Sequence, residues 1–230
     1  MMNIRRGDQR GHFNHGWLDT YHTFSFGDYR DPQHMGFRTL RVINEDRIEP
    51  GMGFGTHPHR DMEIITVVLS GRLEHRDSMG NGEVIGPGEV QAMTAGTGIT
   101  HSEFNPSATE PVHLMQIWIR PEQSKLSPGY AQKLFVQNDQ PATLLVSPDG
   151  EAGSLRIHQQ ARVYRVRLAS GERIEIDLKA GGHGWLQVTS GEIQINGETL
   201  YAGDGAALSE ESRLTLESND GGEALAFDLN

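Results

Sequence analysis

Residues 56–75 read Thr56-His57-Pro58-His59-Arg60-Asp61-Met62-Glu63-Ile64-Ile65-Thr66-Val67-Val68-Leu69-Ser70-Gly71-Arg72-Leu73-Glu74-His75, and this stretch decides the fold. Ile64 to Leu69 is an unbroken run of β-branched and apolar side chains, which suits a pleated, buried surface. Ser70-Gly71 follows at once, with Arg72-Leu73-Glu74-His75 beyond it. The segment is expected to be a strand, a tight turn and a returning strand. Just upstream, His57 and His59 are separated by a single residue. On a strand, that spacing points both side chains to one face.

A second pair with the same spacing, His101-Ser102-Glu103, begins 44 residues after His57 (57 to 101). A turn of small residues, Ala95-Gly96-Thr97-Gly98, feeds it. Two such strands laid side by side aim three imidazoles and one carboxylate at a single point. Nitrogen and oxygen donors alone, with open positions left over, describe a catalytic metal site. The donor set suits a redox-capable divalent ion such as Fe, Cu, Ni or Mn, and imidazole suits Zn as well. Glu63 falls an even number of residues from His59 and competes with Glu103 for the carboxylate position.

Further strand signals recur along the chain. Val112 to Ile119 reads as a strand closed by Pro121. The polar stretch 121–129, with two prolines, reads as the exit from a first domain, and a short helix is expected over Tyr130 to Phe135. Strand signals then resume at Arg162–Leu168, Arg173–Leu178, Trp185–Val188, Glu192–Ile195, Arg213–Leu216 and Ala224–Leu229, separated by Ala169-Ser170-Gly171, Ser190-Gly191 and Asn196-Gly197. These are expected hairpin turns. Leu69-Ser70-Gly71-Arg72-Leu73 has a counterpart in Val188-Thr189-Ser190-Gly191-Glu192-Ile193. Gly86-Pro87-Gly88-Glu89 is loosely echoed by Tyr201-Ala202-Gly203-Asp204. Many short strands and a weak repeat indicate a duplicated all-β architecture.

Composition narrows the function classes. The chain has 230 residues, 28 of them Gly and none Cys, and a net charge of −11. Without cysteine there are no disulfides, thiolate zinc sites or thiol nucleophiles. The acidic balance opposes direct nucleic-acid binding. No stretch has the roughly 20 apolar residues of a membrane helix, and MMNIRRGDQRGH has no apolar signal core, so a cytoplasmic location is expected. Gly51-x-Gly53-x-Gly55 lacks a strand–turn–helix setting and is not a dinucleotide fingerprint.

His57-x-His59-x3-Glu63 and Gly98-x2-His101-x3-Asn105 resemble the two signature motifs of the cupin superfamily. Within it, HPHRDMEI…LSG, HRDSMGN and MTAGTGITHSE resemble the pirin family. His22-Thr23-Phe24-Ser25-Phe26-Gly27-Asp28-Tyr29, the run from Gly36 to Asp46, and Leu155-Arg156-Ile157-His158-Gln159 are similar to pirins as well. The resemblance implies an all-β bicupin: two tandem antiparallel β-barrels of the double-stranded β-helix or jelly-roll kind. The first would span 1–135 and hold the metal; the second, 136–230, would lack ligands. In the second half, His183-Gly184-Trp185 puts Trp where the second His of the pair would stand. Two departures stand out: seven residues separate Glu63 from Gly71 where the general motif has six, and Gly96 replaces a proline.

The resemblance implies a quercetin 2,3-dioxygenase acting on a small aromatic flavonol with O2 as co-substrate. It implies one divalent metal per chain, Fe(II) first, held by His57, His59, His101 and Glu103, with Glu103 also the catalytic base. Pirins also imply an alternative: an iron-dependent regulatory protein that binds a metabolic enzyme or transcription factor without turnover. Phe54 and His113 are candidate cavity-lining residues, and Glu63 is the alternative ligand. His75, beside a turn, reads as structural. The chain is expected to be a monomer with no direct nucleic-acid or membrane partner.

Overall fold

The computed structural model describes residues 1–136, 140–179 and 182–230. Apart from two short 3-10 turns at Gly7–Gln9 and Glu151–Gly153, its regular structure is all strand. The strands of the first half are β1 (Met2–Arg5), β2 (Gly11–Asn14), β3 (Leu18–His22), β4 (Leu40–Ile48), β5 (Gly53–His59), β6 (Glu63–Ser70), β7 (Leu73–Asp77), β8 (Gly82–Ile85), β9 (Glu89–Thr94), β10 (Ile99–Phe104), β11 (Val112–Ile119) and β12 (Gly129–Leu134). Those of the second half are β13 (Ala142–Ser147), β14 (Leu155–Arg156), β15 (Arg162–Leu168), β16 (Arg173–Asp177), β17 (His183–Ile195), β18 (Glu198–Tyr201), β19 (Gly205–Ser209), β20 (Arg213–Glu217) and β21 (Gly222–Leu229).

In the first half a seven-stranded sheet, ordered β12-β9-β6-β11-β4-β3-β2, faces a four-stranded sheet, β5-β10-β7-β8. In the second, β1-β19-β17-β21-β15-β13-β14 forms the main sheet, and β16, β18 and β20 gather on the far end of β17. This is a bicupin of two jelly-roll sandwiches whose sheets stay open rather than closing into barrels. The N-terminal strand β1 pairs antiparallel with β19, so the first residues complete the second half's sheet.

Side-chain parity explains why Ile64 to Leu69 of β6 is apolar or β-branched on both faces. Ile65 and Val67 join a core shared with Trp185, Leu225 and Phe227 of the second half, while Val68 packs inside the first sandwich with Leu18, Leu73 and Leu114. A strand buried on both faces reads as a continuous hydrophobic run.

The Ser70-Gly71 turn does not close a hairpin. β6 pairs with β9 and β11, whereas β7 pairs with β8 and β10, so the turn carries the chain from one sheet to the other. Ala169-Ser170-Gly171 likewise closes no hairpin, since β15 pairs with β13 and β21 and β16 with β20. Asn196-Gly197, by contrast, is a true hairpin turn: both residues have positive φ (51° and 79°), and Ile195 pairs with Glu198. The expected helix over Tyr130 to Phe135 is also absent. Residues Gly129–Leu134 form edge strand β12 on β9, whose free backbone groups supply the partners that a six-residue helix would have to find within itself.

Candidate metal centre

The centre lies inside the first sandwich, between strands β5 and β10 on one side and β3, β4 and β11 on the other. β5 and β10 run antiparallel with His57 directly opposite His101 and His59 opposite Ile99. The ladder slips between His101 and Glu103, which stands opposite Phe54 rather than Gly55. This bulge turns Phe54 onto the same face as His57, and their rings lie 6.4 Å apart.

The three imidazoles converge. Ring centroids are 4.8 Å apart for His57–His59, 4.4 Å for His57–His101 and 4.8 Å for His59–His101. One donor atom from each lies within 4.8 Å of the others. His57 Nδ1 donates to the carbonyl oxygen of Gly55 at 2.8 Å, which leaves its Nε2 lone pair for a ligand. Burial pushes the His101 imidazole down to about 2 and that of His59 to about 4, with the neighbouring histidines adding to both, so each ring is held neutral and ready to ligate.

Glu103 is 2% exposed. Gln116 Nε2 donates to its Oε2 at 2.8 Å, while Oε1 is buried with no hydrogen-bond partner among the described residues. Burial pushes this carboxyl up to about 7; the Gln116 hydrogen bond opposes the rise and the Asp46 charge adds to it. Glu103 belongs to a second cluster with His101 and His75, again within 4.8 Å, rather than to the tight trio of imidazoles. His101 Nε2 is likewise buried without a partner among the described residues. Buried polar atoms are rarely left unsatisfied, and these two atoms, beside the converging imidazoles, suit a divalent metal ion.

A cavity of about 270 Å³ opens beside these residues, lined by Leu18, Phe26, Phe54 and Trp118 and by the polar Thr20, Asn44, Asp46 and Gln116. Phe54 lines this cavity. His113 does not. It sits on the outer face of β11, where its Nε2 is 2.9 Å from Glu45 Oε1, and it lines a cleft between the two halves instead. Glu63 is also turned away, because the odd positions of β6 look towards the second half. It accepts from Thr94 Oγ1 at 2.9 Å and lies 3.4 Å from His158 Nδ1, outside both ligand clusters.

The residue that sequence reasoning undervalued is His75. It is 0% exposed, packs against His101 with ring centroids 5.2 Å apart, and is stacked by Tyr130 of β12 at 4.8 Å. The signal that could have found it is a third single-residue spacing, His75-x-Asp77, on a strand next to the ligand strand.

Residues 3–119 match the Pirin family, and residues 144–229 match the family described as the quercetinase C-terminal cupin domain. The chain belongs to the pirin family. It is 50% identical over 231 residues to a protein of Escherichia coli strain K12 named quercetin 2,3-dioxygenase, with 100% of this chain and 99% of the relative covered. The crystal structure of YhhW from Escherichia coli superposes with a TM-score of 0.97 at 50% identity, covering 100% of this chain and 98% of that one. The crystal structure of the bacterial pirin YhhW in complex with nickel(II) gives 0.95 at 49% identity, covering 100% and 99%. No described helix is long and apolar enough to cross a membrane.

Proposed function

We propose that this pirin is a metal-dependent quercetin 2,3-dioxygenase, with His57, His59, His101 and Glu103 as ligands and Fe(II) as the first candidate ion. The observation that supports it most is the pairing of three converging imidazoles with a buried, partly unsatisfied carboxylate at the wall of an aromatic-lined cavity. The relative named quercetin 2,3-dioxygenase supports the substrate class, and the nickel(II) complex of a relative supports the metal. A bound divalent ion supplies Lewis acidity towards an enolate oxygen and the redox capacity to engage O2.

The chain's own residues do the rest. Glu103, held through Oε2 by Gln116, would accept the proton of the flavonol 3-hydroxyl at Oε1 once that atom is released from the ion. Phe26, Phe54 and Trp118 supply flat apolar walls that exclude water from the reacting centre. Thr20, Asn44 and Asp46 form a polar patch for the substrate's remaining oxygens, and the buried Asn44 Oδ1 has no partner among the described residues. All four ligands come from one chain, so a monomer suffices as the working unit. Oxygen-electrode measurements with quercetin, on protein of known metal content, test the reading. Stoichiometric metal without quercetin-dependent uptake would favour the regulatory alternative.

A further inference from the structure

Beside the ligand strand lies a second pair of side chains with matching spacing. In the β7–β10 ladder His101 stands opposite Asp77 and Glu103 opposite His75. His75 and Asp77 share one face, and His75 Nε2 is 3.2 Å from Asp77 Oδ2. His75 Nδ1 is 3.3 Å from His101 Nδ1. The Asp77 side chain is 0% exposed.

The protons in this chain can be assigned from its far end. Asp77 Oδ1 accepts from the backbone N–H groups of Met79 and Asn81, at 2.8 and 3.1 Å, and Oδ2 accepts from Asn81 Nδ2 at 2.8 Å. A carboxylate so surrounded by donors is an acceptor only, so the proton between it and His75 sits on His75 Nε2. A neutral His75 then offers a lone pair at Nδ1. The facing atom, His101 Nδ1, must carry a hydrogen, which leaves the lone pair of His101 on Nε2. That atom is the one buried without a partner among the described residues.

We propose that His75, held by Asp77, is a positioning residue for the metal centre: it accepts the Nδ1 hydrogen of His101 and fixes that ligand in the one tautomer able to bind metal through Nε2. The proposal rests on the reading of His101 as a ligand. The Asp77–His75 pair acts on the ion only through His101. It fixes the ring's orientation and raises its basicity, as a carboxylate or carbonyl does for a metal-bound histidine in general. Here the support reaches the ligand through a second imidazole, clamped from the other side by the Tyr130 ring.

The test compares His75→Phe with His75→Gln, using Ni(II) binding to the full chain by calorimetry. Phe keeps the ring and its stacking on Tyr130 but removes the acceptor. Gln loses the ring, yet its carbonyl can accept from His101 while its amide donates to Asp77. The expected result is Ni(II) affinity lowered roughly 10- to 100-fold in the Phe variant and restored to near wild type in the Gln variant. The Fe(III)/Fe(II) potential of the Phe variant should also be more positive, because His101 has lost electron donation. A packing role predicts the reverse order, with Phe tolerated and Gln impaired, and that result would overturn the proposal.

Asp77→Asn provides a second route if the Phe variant does not fold. Its amide donates to His75 Nε2, reverses both tautomers and should weaken Ni(II) to a similar extent. Wild-type affinity in the folded Asn variant would count against the proposal. So would a loss in His75→Gln as large as in His57→Ala, which would make His75 a ligand. His57→Ala binding Ni(II) like wild type would instead refute the metal centre itself, and the inference with it.

Discussion

His101 faces Asp77 directly across the β7–β10 ladder, while Glu103 faces His75. Two strands, each carrying a histidine and an acid one residue apart, are therefore matched head to tail. One acid can serve the metal while the other anchors the histidine behind it. The same register also buries the carboxylate whose proton affinity the proposed chemistry needs.

Glu103→Gln isolates that role. Gln keeps the shape and an acceptor oxygen, so the cavity and the contact with Gln116 survive. Metal should be retained with weaker affinity, while quercetin-dependent O2 uptake falls by roughly 10²- to 10⁴-fold, the usual contribution of a positioned base. Uptake within twofold of wild type at full metal content would remove Glu103 from the mechanism.

His57→Ala should separate metal loss from unfolding. His57 is only half-buried on the edge strand β5 of its sheet, so the metal-free variant should melt within a few degrees of metal-free wild type. Only the wild type should then gain stability when Ni(II) is added, by mass action. Scanning calorimetry with and without the ion reads both quantities.

The pH dependence of stability should show two opposed contributions from adjacent residues. Burial alone would lift the Glu45 carboxyl, but hydrogen bonds and charge from His113 and Arg10 hold it down at about 2. A value below the ordinary 4.5 means that stability is fully present above about 4.5 and is lost as pH falls towards 2, on the order of 3 kcal/mol in all. Glu45→Gln should melt lower than wild type at neutral pH, and the gap should narrow as acid is added.

Asp46 carries the opposite sign. Burial pushes its carboxyl up to about 6, against the hydrogen bond from Thr20 Oγ1 at 2.5 Å and with the Glu45 charge adding to the rise. The folded state is then penalised progressively as pH rises from the ordinary 3.8 through 6. In the metal-free protein Asp46→Asn should melt higher than wild type at pH 7, and the gain should vanish near pH 4. A destabilised variant at pH 7 would contradict this.

Much of the site was legible because its signals are local. A one-residue spacing fixes a common face wherever a strand forms, so His57, His59, His101 and Glu103 could be grouped from the sequence. Partner choice is not local. Ser70-Gly71 has the chemistry of a tight turn, but nothing within it says that the strands on either side pair in different sheets. Glu63 satisfies the parity rule with His59, yet β6 belongs to the opposite sheet and its odd positions face the second half. Tyr130 to Phe135 lacks breakers and reads as helix, until β9 supplies a backbone to pair with. His75 is inconspicuous in the sequence because its meaning depends on which residue stands across the ladder.

The sheet-switching corner gives a further test. Gly71 has a φ of +75°, and a Cβ there would come within 2.5 Å of the Pro111 carbonyl oxygen. Its counterpart Gly191 has a φ of +63°, with the Gly221 oxygen at 2.3 Å. Gly71→Ala should cost roughly 2 kcal/mol or more, read from urea midpoints, since it meets both a strained backbone and a close contact. Gly55, where a Cβ would meet no atom within 4 Å, should tolerate alanine far better.

The most direct measurement is O2 consumption with quercetin by protein stripped of metal and then reloaded with Fe(II) under anaerobic conditions. One ion should bind per chain, with uptake rising in proportion to occupancy, and His57→Ala should show neither. Quercetin-dependent uptake by the metal-free chain, or full occupancy with no uptake at all, would contradict this.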